Sequence, residues 1–530
     1  MVLLSFRTEG RVVAMVLRAL LLPLLAAVSL GTPAIAQSTS AGRPPNVLFV
    51  AIDDLNDWIT PFGGHAQAIT PNLESFANRG AMVFQNAHCA GPVCGPSRSA
   101  LLSGFLPSTT GLYGNSQNML DSELVQTHAT LPEYFAKNGY WTISRGKIFH
   151  AHASKTGRDD GQWAFEEWEP RMGGVGVDKA KLYSRNQNII NGQPGPESEF
   201  TKRGGSEFAW GPTRGPKEET SDYRTAQWAA EQLQVERDEP FFMAIGLSKP
   251  HLPFYVPQEF FDLYDGVEVK ANPIKRDDLD DILRPDGQPK FKPTDDFLWL
   301  DENGLLDEAT HAYLAAVSYA DECLGVLLEA LESSPHADNT IVVVWGDHGW
   351  HLGEKLRFRK ATGWTEATRM PLMVRLPGMA GRQDTRRAVN LIDLYPTLID
   401  LCGLPEKPEL DGRSFGPVLE DPMVAWEYPT MTVLKEGDAT VHDERWSYIR
   451  YDDGTEEVYD LRADPMEWDN LNARRTPEVA AAVERLAAVI PSSFAPTGRN
   501  SKLSDADKNS EWAQRIDPTL KPQRVLAELK

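Results

Sequence analysis

Two short apolar segments that end in acidic or imidazole side chains constrain the fold of this chain most strongly. The first runs from Asn46 to Ile52 and stops at Asp53-Asp54. The second runs from Thr340 to Trp345 and is followed by Gly346-Asp347-His348. Apolar runs of this length, rich in β-branched residues, are typical of strands buried on both faces. Because ligands gather at the carboxyl ends of parallel strands, the two segments predict a parallel sheet with a site at that edge.

Helical patterns alternate with the predicted strands. They cover Thr70 to Ala77, Thr130 to Gly139, Asp307 to Leu331 and Ile392 to Leu401. The third is the longest, and its leucines fall on one stripe of the helix. Alternating strands and helices favour an α/β fold. We therefore predict a large mixed, mostly parallel sheet flanked by helices.

The two ends of the chain predict further parts. Leu20 to Leu30 is apolar, Arg18 precedes it, and Ala34-Ile35-Ala36 has the small residues of a cleavage site, as in a signal peptide. Near the other end, Trp446 to Tyr451 and Thr455 to Tyr459 flank an Asp-Gly turn and predict a β-hairpin. A helix over about residues 477–489 follows. We predict an exported protein, periplasmic or extracellular, with a small C-terminal α+β subdomain.

The predicted domain organisation has three parts and two insertions. These are a signal peptide over 1–36, a catalytic α/β domain over 37–424 with surface insertions near 151–220 and 264–300, and a C-terminal subdomain over 425–530. The insertions have weak periodicity, which is why we place them on the surface around the site. After the signal peptide, no segment approaches the roughly 18 consecutive apolar residues of a membrane span.

Charge and cysteine content narrow the possible partners. The formal net charge is -22, which disfavours nucleic acid and anionic membranes as partners. An anionic substrate would therefore need a local basic site. The four cysteines have no zinc-knuckle spacing. Cys323 and Cys402 lie in periodic apolar segments and are predicted to be buried, whereas Cys89 and any disulfide stay undecided.

Cys94 stands in an unusual setting for a structural cysteine. It precedes Pro96-Ser97, a typical helix start, so it should lie beside free backbone N–H groups and the positive end of a helix dipole. Arg98, one turn into that helix, can bind an anion or an activated nucleophile. The alternative is a thiol of low pKa that has no chemical role.

The residues from Cys94 to Gly104, Cys-Gly-Pro-Ser-Arg and then Ser-Ala-Leu-Leu-Ser-Gly, resemble the signature of type I sulfatases in the alkaline-phosphatase superfamily. The resemblance extends over about residues 45–475 and is closest to iduronate-2-sulfatase-like and bacterial polysaccharide sulfatases. Ala51 departs from the bulkier β-branched residue common there, without chemical consequence. The resemblance implies an alkaline-phosphatase-like fold. It also implies oxidation of Cys94 to formylglycine by a formylglycine-generating enzyme or an equivalent maturase.

A metal site is predicted at the two strand ends. Asp53, Asp54 and Asp347 offer hard oxygen ligands, and carboxylates with one imidazole suit Ca²⁺ or Mg²⁺ better than zinc. His348 adjoins Asp347, although imidazole is an unusual ligand for Ca²⁺. Taken alone, the acidic pair could instead be a helix cap or a strand-end turn. The resemblance implies that these four residues and the modified Cys94 surround one Ca²⁺.

Basic and imidazole side chains recur at three other places, which calls for an explanation in so acidic a chain. They are Lys147 with His150, Lys249 with His251, and Lys360. Any one of these lysines could be an ordinary solvated surface residue. The resemblance assigns Lys147 and Lys360 to the sulfate oxygens, His150 to the formylglycine hydroxyls and His251 to the leaving oxygen. Lys249 is a weaker candidate for substrate binding.

A mechanism follows from these implied roles. The hydrate of formylglycine carries two hydroxyls on one carbon, and the metal and Arg98 lower the pKa of one of them. That oxygen attacks sulfur while His251 protonates the leaving alcohol. Lys147 and Lys360 offset the charge on the sulfuryl oxygens. His150 then takes the proton of the second hydroxyl, which expels sulfate and restores the aldehyde.

The substrate is less constrained than the chemistry. A sugar pocket lined by Trp58, His65, Asn115, Gln117 and Trp350 is one interpretation, and packing is the other. The resemblance suggests a sulfated carbohydrate, such as a 2-sulfated uronic acid or another polysaccharide-derived unit. Two alternatives remain open: a phosphodiesterase or phosphonate monoester hydrolase of the same superfamily, and an exported glycan-binding protein with an unmodified cysteine. We predict a sulfuric ester hydrolase.

Overall fold

A computed structural model of the protein describes residues 43–498, except 118, 120–121, 151–164, 170–172 and 202–206. The predicted signal peptide lies outside the described residues. So do residues 499–530 of the predicted C-terminal subdomain and part of the first predicted insertion. Among the residues described, no helix combines the length and the apolar character that crossing a membrane requires.

The strands are numbered in chain order. They are β1 (Asn46–Ile52), β2 (Met82–Phe84), β3 (Ala87–His88), β4 (Trp141–Gly146), β5 (Glu167–Glu169), β6 (Tyr183–Ser184), β7 (Ile189–Ile190), β8 (Gln193–Pro194), β9 (Ala209–Thr213), β10 (Phe241–Leu247), β11 (Phe254–Pro257), β12 (Thr340–Gly346), β13 (His351–Leu352), β14 (Phe358–Arg359), β15 (Leu372–Arg375), β16 (Gln383–Thr385), β17 (Val389–Asn390), β18 (Thr430–Lys435), β19 (Asp438–His442), β20 (Trp446–Arg450) and β21 (Glu456–Asp460).

The helices are numbered in the same way. They are α1 (Pro71–Asn78), α2 (Cys94–Ser103), α3 (Pro107–Thr110), α4 (Glu123–Thr127), α5 (Leu131–Lys137), α6 (Ser221–Leu233), α7 (Gln258–Asp262), α8 (Asp295–Glu302), α9 (Leu306–Glu332), α10 (Thr365–Thr368), α11 (Leu394–Leu401), α12 (Gly416–Glu420) and α13 (Pro477–Ala487). The four helical patterns of the sequence correspond to α1, α5, α9 and α11, each within a few residues.

The main sheet has the strand order β16-β2-β15-β12-β1-β10-β4-β5. Its strands run parallel except β15, which is antiparallel to both neighbours. The predicted mostly parallel α/β architecture is confirmed. Strand β1 is central, with Ile52 paired to Leu247 of β10 and to Gly346 of β12. Because these three strands end in register, the residues that follow them meet at one edge of the sheet.

Both faces of β1 are buried, and its alternating side chains enter two different cores. Leu48 and Val50 contribute to the larger core, which includes the apolar face of α9. Val47 and Phe49 face the second core, with residues of α2, α5 and α11. Full burial of each aliphatic side chain of this size contributes about 1.5–3 kcal/mol. The continuous apolar run of the sequence thus reflects a strand covered on both sides.

A four-stranded antiparallel sheet of order β18-β19-β20-β21 forms the C-terminal region, with α13 packed against it. The predicted hairpin corresponds to β20 and β21, and its turn contains Gly454 at φ 84°. The described residues of the first predicted insertion contribute β6, β7, β8 and β9 to a second sheet of order β11-β9-β6-β7-β8, whereas the second predicted insertion overlaps α8. Strands of two residues are too short to produce a recognisable periodicity. The predicted domain boundaries stay predictions.

Candidate active site

Cys94 is the first residue of α2 and is fully buried. The helix begins two residues earlier than Pro96, because Val93 takes the extended N-cap conformation. The carboxamide oxygen of Asn115 accepts a hydrogen bond from the Gly95 amide at 2.7 Å. This bond occupies one free N–H group of the first turn. Asn115, predicted to line a sugar pocket, therefore contacts the residue next to the thiol.

Acidic and imidazole side chains from distant parts of the chain converge on the thiol. The residues whose ligand atoms lie within 4.8 Å of one another form two overlapping groups, Asp54 with Cys94, Asp347 and His348, and Asp53 with Asp54, Cys94 and His251. The Asp54 amide donates to Asp347 Oδ1 at 3.0 Å, which joins the ends of β1 and β12. The structure thus brings together all the metal ligands named from the sequence.

Arg98 ties these strand ends to α2. Its Nε donates to Asp347 Oδ2 at 2.8 Å, and Nη2 donates to Asp53 Oδ1 at 3.2 Å. Nη1 donates to the carbonyls of Lys147 and Ile148. Burial lowers the pKa of the guanidinium, but the two carboxylates outweigh this effect and raise it. Loss of one partner from such a buried ion pair typically costs about 3–5 kcal/mol.

Lys147 reaches the same edge from the end of β4. Its Nζ donates to Asp53 Oδ2 at 2.5 Å. The backbone of Lys147 crosses directly over Gly246, and a Cβ at Gly246 would lie 2.2 Å from the Lys147 carbonyl group. Glycine at position 246 is therefore required for Lys147 to enter the site.

Lys360 adds a further positive charge beside the Cys94 thiol. Its Nζ lies 3.0 Å from Cys94 Sγ and donates to Asp54 Oδ1. Burial raises the pKa of the Cys94 thiol, but the charges of Lys147, Lys360 and His348 outweigh burial and lower the pKa well below its ordinary value. The position occupied by the sulfur atom therefore favours an anionic group.

Two further imidazoles, both partly buried, border the thiol. His150 contacts Cys94 and is partly buried, and desolvation lowers its pKa. Its Nδ1 has no hydrogen-bond partner among the residues described. The side chain of His251 is 33% exposed, with Nε2 3.8 Å from Asp54 Oδ2. His251 can therefore reach a bound molecule, whereas His150 faces the nucleophile position.

The chemistry of the acidic cluster fits a divalent cation. Asp54 Oδ2 is buried and accepts no hydrogen bond from the described part of the chain. Burial raises the pKa of Asp347 to about 6. The positive charges of His348 and Arg98 therefore do not fully offset the effect of burial on this carboxyl group. Three carboxylates and one imidazole are a donor set for a hard or borderline cation. An ion bound at this place would neutralise Asp347 and occupy the open oxygen of Asp54.

Some residues predicted to bind substrate make internal contacts. The Lys249 amine donates to the backbone carbonyls of His251 at 2.9 Å and of Pro253 at 2.5 Å. The Gln117 carboxamide accepts hydrogen bonds from the amides of Tyr113 and Gly114. These bonds shape the loops that carry His251 and Asn115. The predicted substrate contacts of Lys249 and Gln117 stay predictions.

Aromatic candidates lie beneath the site. Trp58 is buried and packs on His65, with ring centroids 4.4 Å apart. His65 Nε2 also lies 2.9 Å from the Lys270 carbonyl oxygen. Trp350 is 1% exposed, and Lys360 Nζ lies 5.2 Å from its ring centroid. Trp350 therefore supports the lysine of the site, and contact of these rings with a sugar stays a prediction.

Sequence patterns did not indicate that the segment before Lys360 has an unusual backbone. Positive φ angles occur at Lys355 (53°), Leu356 (52°), Arg359 (79°) and Ala361 (70°). Such conformations cost about 1–3 kcal/mol each in a residue other than glycine. Residues of this kind cluster at functional sites, where surrounding structure holds them. The sequence shows only a cationic stretch here, with no glycine to mark the bends.

Comparison with known proteins identifies the family. Residues 45–404 match the family model described as Sulfatase. The chain belongs to the sulfatase family. Residues 346–490 of this sulfatase also match the model described as N-sulphoglucosamine sulphohydrolase, C-terminal. The enzyme is accordingly a sulfuric ester hydrolase that acts on sulfated substrates.

Similar proteins include sulfatases of several organisms. This sulfatase is 36% identical over 457 residues to a "Sulfatase" of Formosa agariphila, a match covering 84% of this chain and 86% of the relative. It is 30% identical over 439 residues to the iduronate 2-sulfatase of Mus musculus, covering 74% and 75% of the two chains. The solved structure of a phosphonate monoester hydrolase from Silicibacter pomeroyi is 19% identical with a TM-score of 0.64, covering 84% of this chain and 94% of that chain. This last match shows a shared fold.

Proposed function

We propose that this sulfatase removes sulfate from a sulfated carbohydrate, an iduronate-2-sulfate-like or other polysaccharide-derived unit. In this proposal Cys94 is oxidised to formylglycine, and Ca²⁺, or Mg²⁺ as second choice, is the cation. One observation carries it: the thiol of Cys94 lies between Lys360 and an acidic cluster with an open oxygen on Asp54. The similarity to iduronate 2-sulfatase supports the substrate class.

The cation would be held by the carboxylates of Asp53, Asp54 and Asp347, the imidazole of His348 and the modified residue 94. Formylglycine hydrate would supply an oxygen nucleophile at position 94, and a bound cation would lower the pKa of its hydroxyl and offset charge on the sulfuryl group. Every other contribution comes from side chains of the site.

Arg98, Lys147 and Lys360 hold the negative groups in place. Arg98 fixes the orientation of Asp53 and Asp347 through charge-assisted bonds. Lys147 and Lys360 would donate to the sulfuryl oxygens and offset their negative charge in the transition state. Preformed donors of this kind stabilise developing charge because they need no reorganisation during the reaction.

The two histidines divide the proton transfers. The His251 side chain is 33% exposed, and we assign its Nε2 to protonation of the leaving oxygen. His150 contacts position 94, and desolvation lowers its pKa, so its ring is neutral at pH 7 and can accept a proton. We assign His150 to accepting a proton at position 94.

Export and maturation complete the proposal. The apolar run and cleavage site within residues 1–36 support transport to the periplasm or the exterior. The residues after Cys94 support recognition by a formylglycine-generating enzyme or an equivalent maturase. Maturation at position 94 then precedes or accompanies folding, because the folded thiol is fully buried.

Hydrolysis of an aryl sulfate, compared with an aryl phosphate and an aryl phosphonate, tests the reaction class. We expect hydrolysis of the sulfate to be much the fastest. We also expect about one divalent cation per chain in metal analysis, with activity lost on chelation and restored by Ca²⁺ or Mg²⁺. Faster phosphonate hydrolysis would favour the alternative enzyme class, and binding of sulfated glycan without turnover would favour a glycan-binding protein.

A further inference from the structure

A single buried carboxylate holds the hairpin that precedes Lys360. Asp296 in α8 contacts two guanidinium groups: Arg185 Nε lies 2.7 Å from its Oδ1, and Arg359 Nε donates to its Oδ2 at 2.5 Å. The side chains of Arg185, Asp296 and Arg359 are 3%, 9% and 20% exposed. We call these three residues the arginine triad. One of its members, Arg359, directly precedes Lys360 in the chain.

The arginine triad joins the second sheet to the sulfate-binding side of the site. Arg185 follows β6, and its backbone amide donates to the Phe208 carbonyl at 2.9 Å. The Arg359 guanidinium lies 5.5 Å from the ring centroid of Phe208. Arg359 also belongs to β14, which pairs with β13 through His351. Side chains from three separate segments therefore converge on the residue before Lys360.

The backbone around Lys360 needs such external support. Arg359 at φ 79° and Ala361 at φ 70° flank the lysine, and both are in the left-handed region. That region is unfavourable for residues with a Cβ, so an unrestrained chain would leave it. On one side, the Ala361 amide donates to the Pro92 carbonyl at 3.0 Å. On the other side, Asp296 holds the Arg359 side chain.

We propose that Asp296, Arg185 and Arg359 are positioning residues for Lys360, which they hold with its amine against position 94. This inference rests on the proposed function, in which Lys360 binds the sulfate oxygens. Asp296 suits the task because both of its oxygens accept hydrogen bonds from the planar guanidinium of Arg359, Oδ2 from Nε and Oδ1 from Nη2 at 3.4 Å. Arg185 adds a second positive charge beside the same carboxylate. Asp296 acts through Arg359 and does not need to contact the substrate.

A purely structural role makes a different prediction. Removal of a buried charged partner lowers stability in either case. A structural residue would change the unfolding midpoint and leave the folded enzyme unaffected. A positioning residue would lower the activity of the folded enzyme, and its effect would disappear once Lys360 is absent, because mutations that act through one group are not additive.

A double-mutant cycle separates the two roles. It compares wild type, Asp296→Asn, Lys360→Ala and the double variant by kcat/KM for 4-nitrophenyl sulfate and by the inhibition constant of inorganic sulfate. We expect Lys360→Ala to lower kcat/KM about 10²- to 10³-fold. Asp296→Asn should lower it about 10- to 100-fold, as for a misplaced catalytic group. The double variant should match Lys360→Ala within about threefold.

Two further variants complete the experiment. Arg359→Lys keeps the charge but loses the planar fork, and we expect about a 3- to 10-fold loss that also vanishes without Lys360. It provides the test if Asp296→Asn does not fold. The matched control is Asp301→Asn, which removes an ion pair of 2.7 Å with Arg276 from the same helix. We expect wild-type kcat/KM and sulfate inhibition for this control.

The inference is contradicted if the losses multiply in the double variant. It is also contradicted if folded Asp296→Asn and Arg359→Lys both keep wild-type activity and sulfate inhibition. Wild-type enzyme without sulfatase activity would instead contradict the proposed function. In that case calorimetric binding of inorganic sulfate to the same variants decides the positioning role separately, because it needs no turnover.

Discussion

Two regions of this protein bury carboxylates, and they treat them differently. In the active site, Asp54 leaves Oδ2 without a hydrogen bond from the described residues. In β21 of the C-terminal sheet, Glu457 is fully buried, and both of its oxygens accept hydrogen bonds. The donors are Trp364 Nε1 at 2.8 Å, Tyr451 Oη at 2.7 Å and Tyr459 Oη. Glu457 is satisfied by the protein and supports the fold, whereas Asp54 keeps an oxygen that a ligand can occupy beside Cys94.

Replacement of the nucleophile should show most clearly that the active site determines activity and contributes little to stability. We expect Cys94→Ala to lower kcat at least about 10⁴-fold, as removal of a nucleophile does in other hydrolases. The unfolding midpoint should stay within a few degrees of wild type, because only the terminal atoms of one small side chain are lost. Steady-state kinetics and thermal unfolding check both parts. Substantial activity in this variant would place the nucleophile elsewhere.

The proton donor should show a dependence on the leaving group. We expect His251→Gln to lower kcat/KM about 10²- to 10⁴-fold for an alkyl sulfate, whose leaving oxygen needs protonation. For an aryl sulfate with an acidic phenol the loss should be much smaller. A series of aryl sulfates of graded phenol pKa measures this trend. An equal loss across the series would remove His251 from that role.

The satisfied carboxylate should affect stability alone. We expect Glu457→Gln to lower the free energy of unfolding by about 2–4 kcal/mol, because an amide cannot accept all three bonds and brings a donor against donors. The folded variant should keep wild-type kcat/KM. Denaturant unfolding with parallel kinetics tests this. Glu478→Gln is the control, since its ion pair with Arg445 lies on the surface and contributes roughly 0–1 kcal/mol.

A smaller effect is expected from a buried imidazole pair. His88 and His442 stack with centroids 3.9 Å apart. Burial and then the charge of Arg369 lower the pKa of His442 to about 3. The unfolded chain binds a proton near pH 6.5 and the folded chain does not, so the stabilising contribution is complete above pH 6.5 and is lost as pH falls.

The corresponding measurement compares wild type with His442→Phe. Between pH 6.5 and 5, wild type should lose about 1–2 kcal/mol more of its unfolding free energy than the variant. Subtracting the unfolding free energies of the two proteins at each pH removes the contribution of the other titrating groups, which both proteins share. Parallel pH profiles for the two would contradict a neutral buried His442 and weaken the distinction between the regions.

The acidic half of the site could be predicted from sequence because local pattern determines it. Apolar runs in the sequence indicate the buried strands, and parallel strands that end in register bring Asp54 and Asp347 together. The position of Cys94 at a helix start follows from the proline and serine after it. These features depend on neighbours in the chain, which the sequence displays directly.

Other parts depend on contacts between distant segments and could not be predicted. The Lys249 amine donates to backbone carbonyls of its own loop. The sequence alone does not distinguish these internal bonds from contacts with a substrate. The bends at Arg359 and Ala361 are held by Asp296 and by Pro92. No local propensity encodes such bends in residues other than glycine, since tertiary contacts supply their stability.

Peptide mass spectrometry across residues 92–104, on active enzyme from its native host, tests the central claim most directly. Conversion of the Cys94 side chain from CH₂SH to CHO exchanges SH₂ for O and lowers the peptide mass by about 18 Da. The account predicts this loss, together with the reactivity of an aldehyde towards hydrazine reagents. An unmodified cysteine in fully active enzyme would contradict it.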